Sequence, residues 1–150
     1  MRRFEQVRDD AMQYNKNPIK KPYRATKFSA GYDIFSPIDI DIAPGTAEMI
    51  WTNMKILMPS DEFMLLCTTS KMGKMGIGFS NGVSIIDSDY YGNESNDGNL
   101  GVRLMNNSKN TYVVKVGDKI AQGVFIKYQI TDDDVVSTET RKGGFGSTVK

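Results

Sequence analysis

The chain has 150 residues, 39% of them hydrophobic and 25% charged, with a formal net charge of +1. That is the size and composition of one soluble folded domain, long enough to bury a core without a disulfide or a structural metal. The near-neutral balance argues against a protein that coats nucleic acid.

The chemical inventory excludes more. There is no His and one Cys. A Ser-His-Asp triad, a Cys-His pair and a zinc site of His and Cys ligands are all ruled out within the chain. Cys67, inside the apolar run 63–67, reads as a small core residue. The absence of a disulfide framework suits a reducing compartment. The first residues lack a signal-peptide pattern, and no run is long enough to span a membrane, so the expected location is cytoplasmic. Carboxylates, hydroxyls, amides, Lys and Arg remain. That set suits an activated water, a hard cation such as Mg²⁺, and phosphate recognition.

In chain order, residues 1–24 form a basic segment, read as a solvated edge. Ser29-Ala30-Gly31-Tyr32-Asp33 reads as a strand entry whose Asp caps a turn. Ile38 to Ile42 alternates with period two, and Ala43-Pro44-Gly45 turns. Strands are predicted at 49–51 and 54–58, and at 63–67 as a continuously buried run. A short helix over 70–76 is weakened by Gly73 and Gly76. Further strands are predicted at 83–86, 100–105, 112–116 and 120–128. The segment 92–98 reads as a solvent-exposed connection. Many short strands separated by turns predict an all-β sandwich, jelly roll or barrel. The segment 131–150 reads as an acidic linker followed by a Gly-rich tail. On composition the tail is either a frayed terminus or an arm that orders over a ligand, offering amides and cations to phosphate and Phe145 to a base.

Taken in order, four segments resemble the motifs of the homotrimeric dUTPase family. They are 29–33, 81–90 (with Ser84 where the family usually has Gly), Gly117-Asp118-Lys119-Ile120-Ala121-Gln122, and 141–148 with Gly-Gly-Phe-Gly-Ser-Thr intact. The family's Pro-Arg-Ser-Gly motif corresponds to Cys67-Thr68-Thr69-Ser70, or to the same stretch slipped by one residue. Thr69 or Ser70 then supplies the hydroxyl, and the Arg is missing in either register.

The resemblance implies a distorted jelly roll, or β-clip barrel, with a flexible C-terminal arm. It implies a homotrimer whose active sites are shared between chains. Asn81, Gly82, Val83, Ile86 and the rest of a tight hairpin would read the uracil edge, and Tyr90 would exclude a 2′-hydroxyl. Asp87 would activate water for attack on the α-phosphate of dUTP, releasing dUMP and pyrophosphate. Asp33 would hold Mg²⁺ through water. Thr68, Thr69, Ser70 and Gln122 would contact phosphates. An arm from another subunit would bring Phe145 onto uracil, with Arg141, Gly146, Ser147 and Thr148 at the phosphates. The missing Arg motivates an alternative, an impaired member that binds dUTP or a protein partner. A related dCTP deaminase would need a suitable Glu, and only Glu94 stands near the third motif. No nucleic acid or membrane partner is expected.

Overall fold

A computed structural model describes residues 1–14, 19–135 and 137–145. Its strands are β1 (Arg3–Gln6), β2 (Tyr32–Phe35), β3 (Ile40–Ile42), β4 (Ala47–Trp51), β5 (Met54–Leu57), β6 (Glu62–Cys67), β7 (Ile77–Phe79), β8 (Ser84–Asp87), β9 (Gly101–Asn106), β10 (Tyr112–Val114) and β11 (Lys119–Lys127). One five-residue helix, α1 (Ser70–Lys74), interrupts them. The all-β expectation holds.

Strands β2, β11, β6 and β8 form one sheet in that spatial order, and β4, β9 and β7 form a second. Two-stranded pairs, β1 with β5 and β3 with β10, complete a distorted jelly roll. Every ladder is antiparallel. Ile34, Met64 and Leu66 of the larger sheet and Ile50, Val102 and Leu104 of the smaller one are fully buried in one shared core.

The run 63–67 is not continuously buried. Along β6, Met64 and Leu66 are buried while Phe63, Leu65 and Cys67 are half-buried. An antiparallel sheet with one face on the core imposes this alternation even on an unbroken apolar run. Cys67 therefore lies on the outer face and not in the core.

Residues directly opposite one another on neighbouring strands share a face. The outer face of the larger sheet thus carries the row Asp33–Gln122–Cys67, then Leu65 with Val124 and Ile85, then Phe63 with Ile126 and Asp87. Polar groups stand at the two ends and apolar side chains fill the middle.

The N-terminal segment differs from the solvated edge expected. β1 pairs with β5, and Phe4, Val7 and Ala11 are buried. The basic residues hid this apolar spacing because Arg2 and Arg3 lie on the outside, where they meet Glu62 and Glu5. The segment 92–98 also differs: Asn93 and Asp97 are 4% and 2% exposed, so it is built into the molecule.

Candidate active site

The third motif starts at a bend. β7 pairs with β9 and β8 pairs with β6, so residues 77–87 cross between sheets and do not form a hairpin of their own. An isolated bridge between Phe79 and Gly82 holds the bend, and Gly82 adopts a φ of +78°. That left-handed conformation favours glycine. Asn81 Nδ2 donates to Ser84 Oγ at 3.3 Å, so the hydroxyl at the family's usual Gly position fixes the Asn81 amide.

A 3₁₀ turn over Ser88–Tyr90 follows β8 and buries Tyr90. A cleft of about 190 Å³ opens here, lined by Asn81, Ser84, Ile86, Tyr90, Gly101 and Phe145 among others. Ligand pockets commonly exceed ~300 Å³; this one suits a single planar ring. Val83 is 45% exposed and does not line it.

The C-terminal segment lies over this cleft in the same chain. Arg141 Nη2 meets Asp87 Oδ2 at 2.5 Å and its Nε meets Asp89 Oδ1 at 2.6 Å. Ser95 N donates to Lys142 O at 3.1 Å. The Phe145 ring lies 5.4 Å from Trp51, edge to face. In the single chain this arm rests on its own cleft, whereas the resemblance implies an arm supplied by another subunit. Gly146, Ser147 and Thr148 lie outside the described residues.

A second polar group gathers at the other end of the outer face. Asp33, 6% exposed, pairs with Lys119 Nζ at 2.7 Å. Gln122 Nε2 donates to Thr68 O at 3.2 Å. Thr69 caps α1, its Oγ1 accepting from Met72 N at 3.3 Å, while Ser70 is exposed. The second motif's hydroxyls are therefore distinct: Thr69 shapes the helix start and Ser70 faces outward. The cations nearby, Lys71 and Lys74, are exposed on α1.

The dUTPase family model matches residues 17–149. This chain belongs to the dUTPase family.

It is similar to the deoxyuridine 5'-triphosphate nucleotidohydrolase of Lactococcus lactis, with 36% identity over 137 residues, covering 90% of this chain and 91% of that one. The enzyme of the same name from Rabbitpox virus is 36% identical over 136 residues, 88% of this chain and 87% of its own. Among solved structures, the dUTPase of Streptococcus mutans superposes with a TM-score of 0.74 at 28% identity, covering 87% of this chain and 98% of that one. The native EIAV dUTPase shares the fold, with a TM-score of 0.68 at 22% identity, covering 92% and 98%.

In this dUTPase-family chain, Asn81, Ile86, Tyr90 and Phe145 line the cleft, Gly82 does not, and Asp87, next to Ile86 in sequence, is held by Arg141. Asp33, Thr68, Thr69, Ser70 and Gln122 come together elsewhere. The two groups lie four residues apart along β6, from Phe63 to Cys67. That is about 13 Å at strand rise, before the lateral step from β8 to β2 is added.

Sequence reading missed Trp51 and Gly101. A Cβ on Gly101 would stand 2.8 Å from Trp51 Cζ3 and 3.1 Å from Phe145 Cζ. A glycine inside a strand pattern signals such a close approach. It also missed the role of the Asn-rich segment 93–99, whose buried amides resemble loop composition in a linear reading.

Proposed function

We propose that this protein hydrolyses dUTP to dUMP and pyrophosphate, as a dUTP diphosphatase. The observation that carries the reading is a ring-sized cleft lined by Ile86 and Phe145, with Asp87, the residue after Ile86, held by Arg141 of the same arm. Family membership supports the substrate.

Uracil occupies the cleft between Asn81 and Phe145. Asn81, Gly82 and Ile86 present polar and apolar edges to the base, and Val83 supports the bend from outside. Unmatched buried donors reject cytosine, and the closed bend rejects a bulkier base by clash. Tyr90 walls off the sugar. Asp87 accepts a proton from water as that water attacks the α-phosphorus; pyrophosphate departs. A carboxylate is a weak base at neutral pH, so positioning and charge stabilisation supply most of the acceleration. Arg141 leaves Asp87 for the phosphate when substrate enters, which frees the carboxylate for its proton. Gly146, Ser147 and Thr148 extend the arm along the phosphates. Thr68, Thr69, Ser70 and Gln122 bind the phosphate chain through the backbone at the start of α1, the Ser70 hydroxyl and the Gln122 amide.

Among the described residues, no cluster of three or more acidic or Cys side chains stands ready to hold a metal. Asp33 offers one hard oxygen donor beside Gln122. Such a donor fits Mg²⁺, which keeps most of its waters and takes other ligands from phosphate oxygens. Bound there through water, the ion would neutralise phosphate charge. A phage phi11 dUTPase mutant has a structural Mg(II) ion.

The two half-sites of one chain stand too far apart to act on one triphosphate, so another copy completes the site. Phe63, Leu65, Val124, Ile126 and Ile85 form an apolar band between them, with Ile85 60% exposed. An uncovered apolar band of this kind marks a subunit contact. A homotrimer with shared sites accounts for both facts.

The test is pyrophosphate release from dUTP with Mg²⁺, set against dTTP, dCTP and UTP. Rapid release from dUTP alone is expected. A folded protein that binds dUTP without turnover would instead establish the impaired, binding-only alternative.

A further inference from the structure

Tyr90 is held at both ends by one short segment. Asn93 Nδ2 donates to Tyr90 O at 2.8 Å. Asn96 Nδ2 donates to the Tyr90 hydroxyl at 2.7 Å, and that hydroxyl donates to Asn99 O at 2.9 Å. The direction of these bonds is settled by the neighbours. Asn96 Oδ1 already accepts from Asn93 Nδ2 at 2.8 Å and from Gly98 N at 3.1 Å. Its amide nitrogen must therefore face the phenol, and a phenol receiving that hydrogen must pass its own to Asn99.

The segment is itself anchored. Asn93 Oδ1 accepts from Ser95 N at 3.0 Å and Asn96 N at 3.1 Å. Asp97 accepts from Lys55 Nζ at 2.7 Å and Arg8 N at 2.8 Å. Asn99 Nδ2 donates to Ala11 O at 3.2 Å. The Gly98 position has no space for a side chain, since a Cβ would lie 2.8 Å from Tyr90 O. The Tyr90 phenol is thus tied to Asn96 within the segment and to Asn99, and the segment reaches the N-terminal residues through Asp97 and Asn99.

Rejection by clash is only as strong as the wall that is struck. A ring free to swing yields to an extra hydroxyl; a ring whose phenol is tied twice does not, because moving it strands buried partners. We propose that Asn96 is the positioning residue that stiffens Tyr90, so that the preference for a deoxyribose over a ribose nucleotide is set by the segment Gly92–Gly98 as much as by Tyr90. This rests on the reading of Tyr90 as the sugar wall.

The experiment compares kcat/KM for dUTP and UTP in the wild type, Asn96→Ala, Tyr90→Phe and the double variant. The imido analogues of both nucleotides are titrated alongside as a readout that needs no turnover. Asn96→Ala and Tyr90→Phe are each expected to lower the dUTP:UTP ratio about tenfold, chiefly through tighter UTP binding and lower KM. The double variant is expected to match Tyr90→Phe alone, because Asn96 acts through the phenol. A wild-type ratio in Asn96→Ala, or effects that add in full, overturns the inference. Should Asn96→Ala not fold, Tyr90→Phe decides, since it keeps the ring and the segment's own bonds; a wild-type ratio there overturns it equally. Tyr90→Ala separates the two levels. A collapsed ratio with Asn96→Ala unchanged overturns this inference and leaves the sugar wall standing; an unchanged ratio in Tyr90→Ala overturns both.

Discussion

Asp87 and Arg141 form an ion pair on which the proposed mechanism turns. Without substrate, the guanidinium holds Asp87 and Asp89 together. Under the proposed mechanism phosphate would compete for the same guanidinium, so that substrate entry and release of the carboxylate would be one event. Asp87→Asn is expected to cut pyrophosphate release by roughly 10²–10⁴-fold, the usual contribution of a positioned base, while the variant still binds the imido analogue of dUTP. Calorimetric titration beside the turnover assay checks both halves.

A different residue pair bears on stability. Burial pushes the Asp97 carboxyl up, but hydrogen bonds from Lys55 and the Arg8 backbone outweigh it, and the carboxyl ends below its usual range. Hydrogen bonding to Arg2 likewise lowers Glu62, and the Tyr91 hydroxyl lowers Glu5. A carboxyl lowered on folding contributes stability above its unfolded pKa, and that contribution is lost as pH falls through the folded value. The urea midpoint should therefore decline as pH drops below about 5. Asp97→Asn should destabilise at pH 7 by about 3 kcal/mol, because it leaves Lys55 buried without its charge partner. It should also flatten the acid slope. Denaturation curves at pH 7, 5 and 4 test both.

At the scale of elements, the arm and the strand beneath it act together. Phe145, at φ +53°, sits in a glycine-flanked turn that brings its ring onto Trp51 over Gly101. Aromatic stacking on a base is worth about 1–3 kcal/mol. Phe145→Ala should thus lower kcat/KM for dUTP by about tenfold or more. Trp51 is the sole tryptophan of the chain, so its emission reports on the arm. Removing residues 141–150 should shift that emission to the red, and a ligand that draws the arm away from Trp51 should do the same.

At the scale of the whole molecule, the outer sheet face governs. Its ends are polar and its middle is apolar; under the proposed function, burying the middle between copies would bring half-sites of different chains together. Mixing refolded Asp33→Asn and Asp87→Asn subunits should restore turnover at about one site in four, the random share that draws an intact half from each chain. Either variant alone should turn over far more slowly than the mixture. A site complete within one chain would leave the mixture as slow as the variants.

Much of this was legible in the sequence. Alternation and turn residues located most strands, and the order of the motifs pointed to the dUTPase family to which the chain belongs. β1 was hidden by flanking arginines, because charge patterning masks short apolar spacing. The segment 92–98 was hidden because buried asparagines and solvated ones have the same composition, and only the hydrogen-bond partners distinguish them.

The sequence by itself excluded His-based chemistry, since the chain has no His, and determined the all-β class, since strand period and turn chemistry are local. Tertiary structure alone decided that Asp87 and Asp33 stand at opposite ends of one sheet face and that the Tyr90 hydroxyl is bonded by Asn96. Both depend on register and on contacts between segments distant along the chain, which no local pattern of residues encodes.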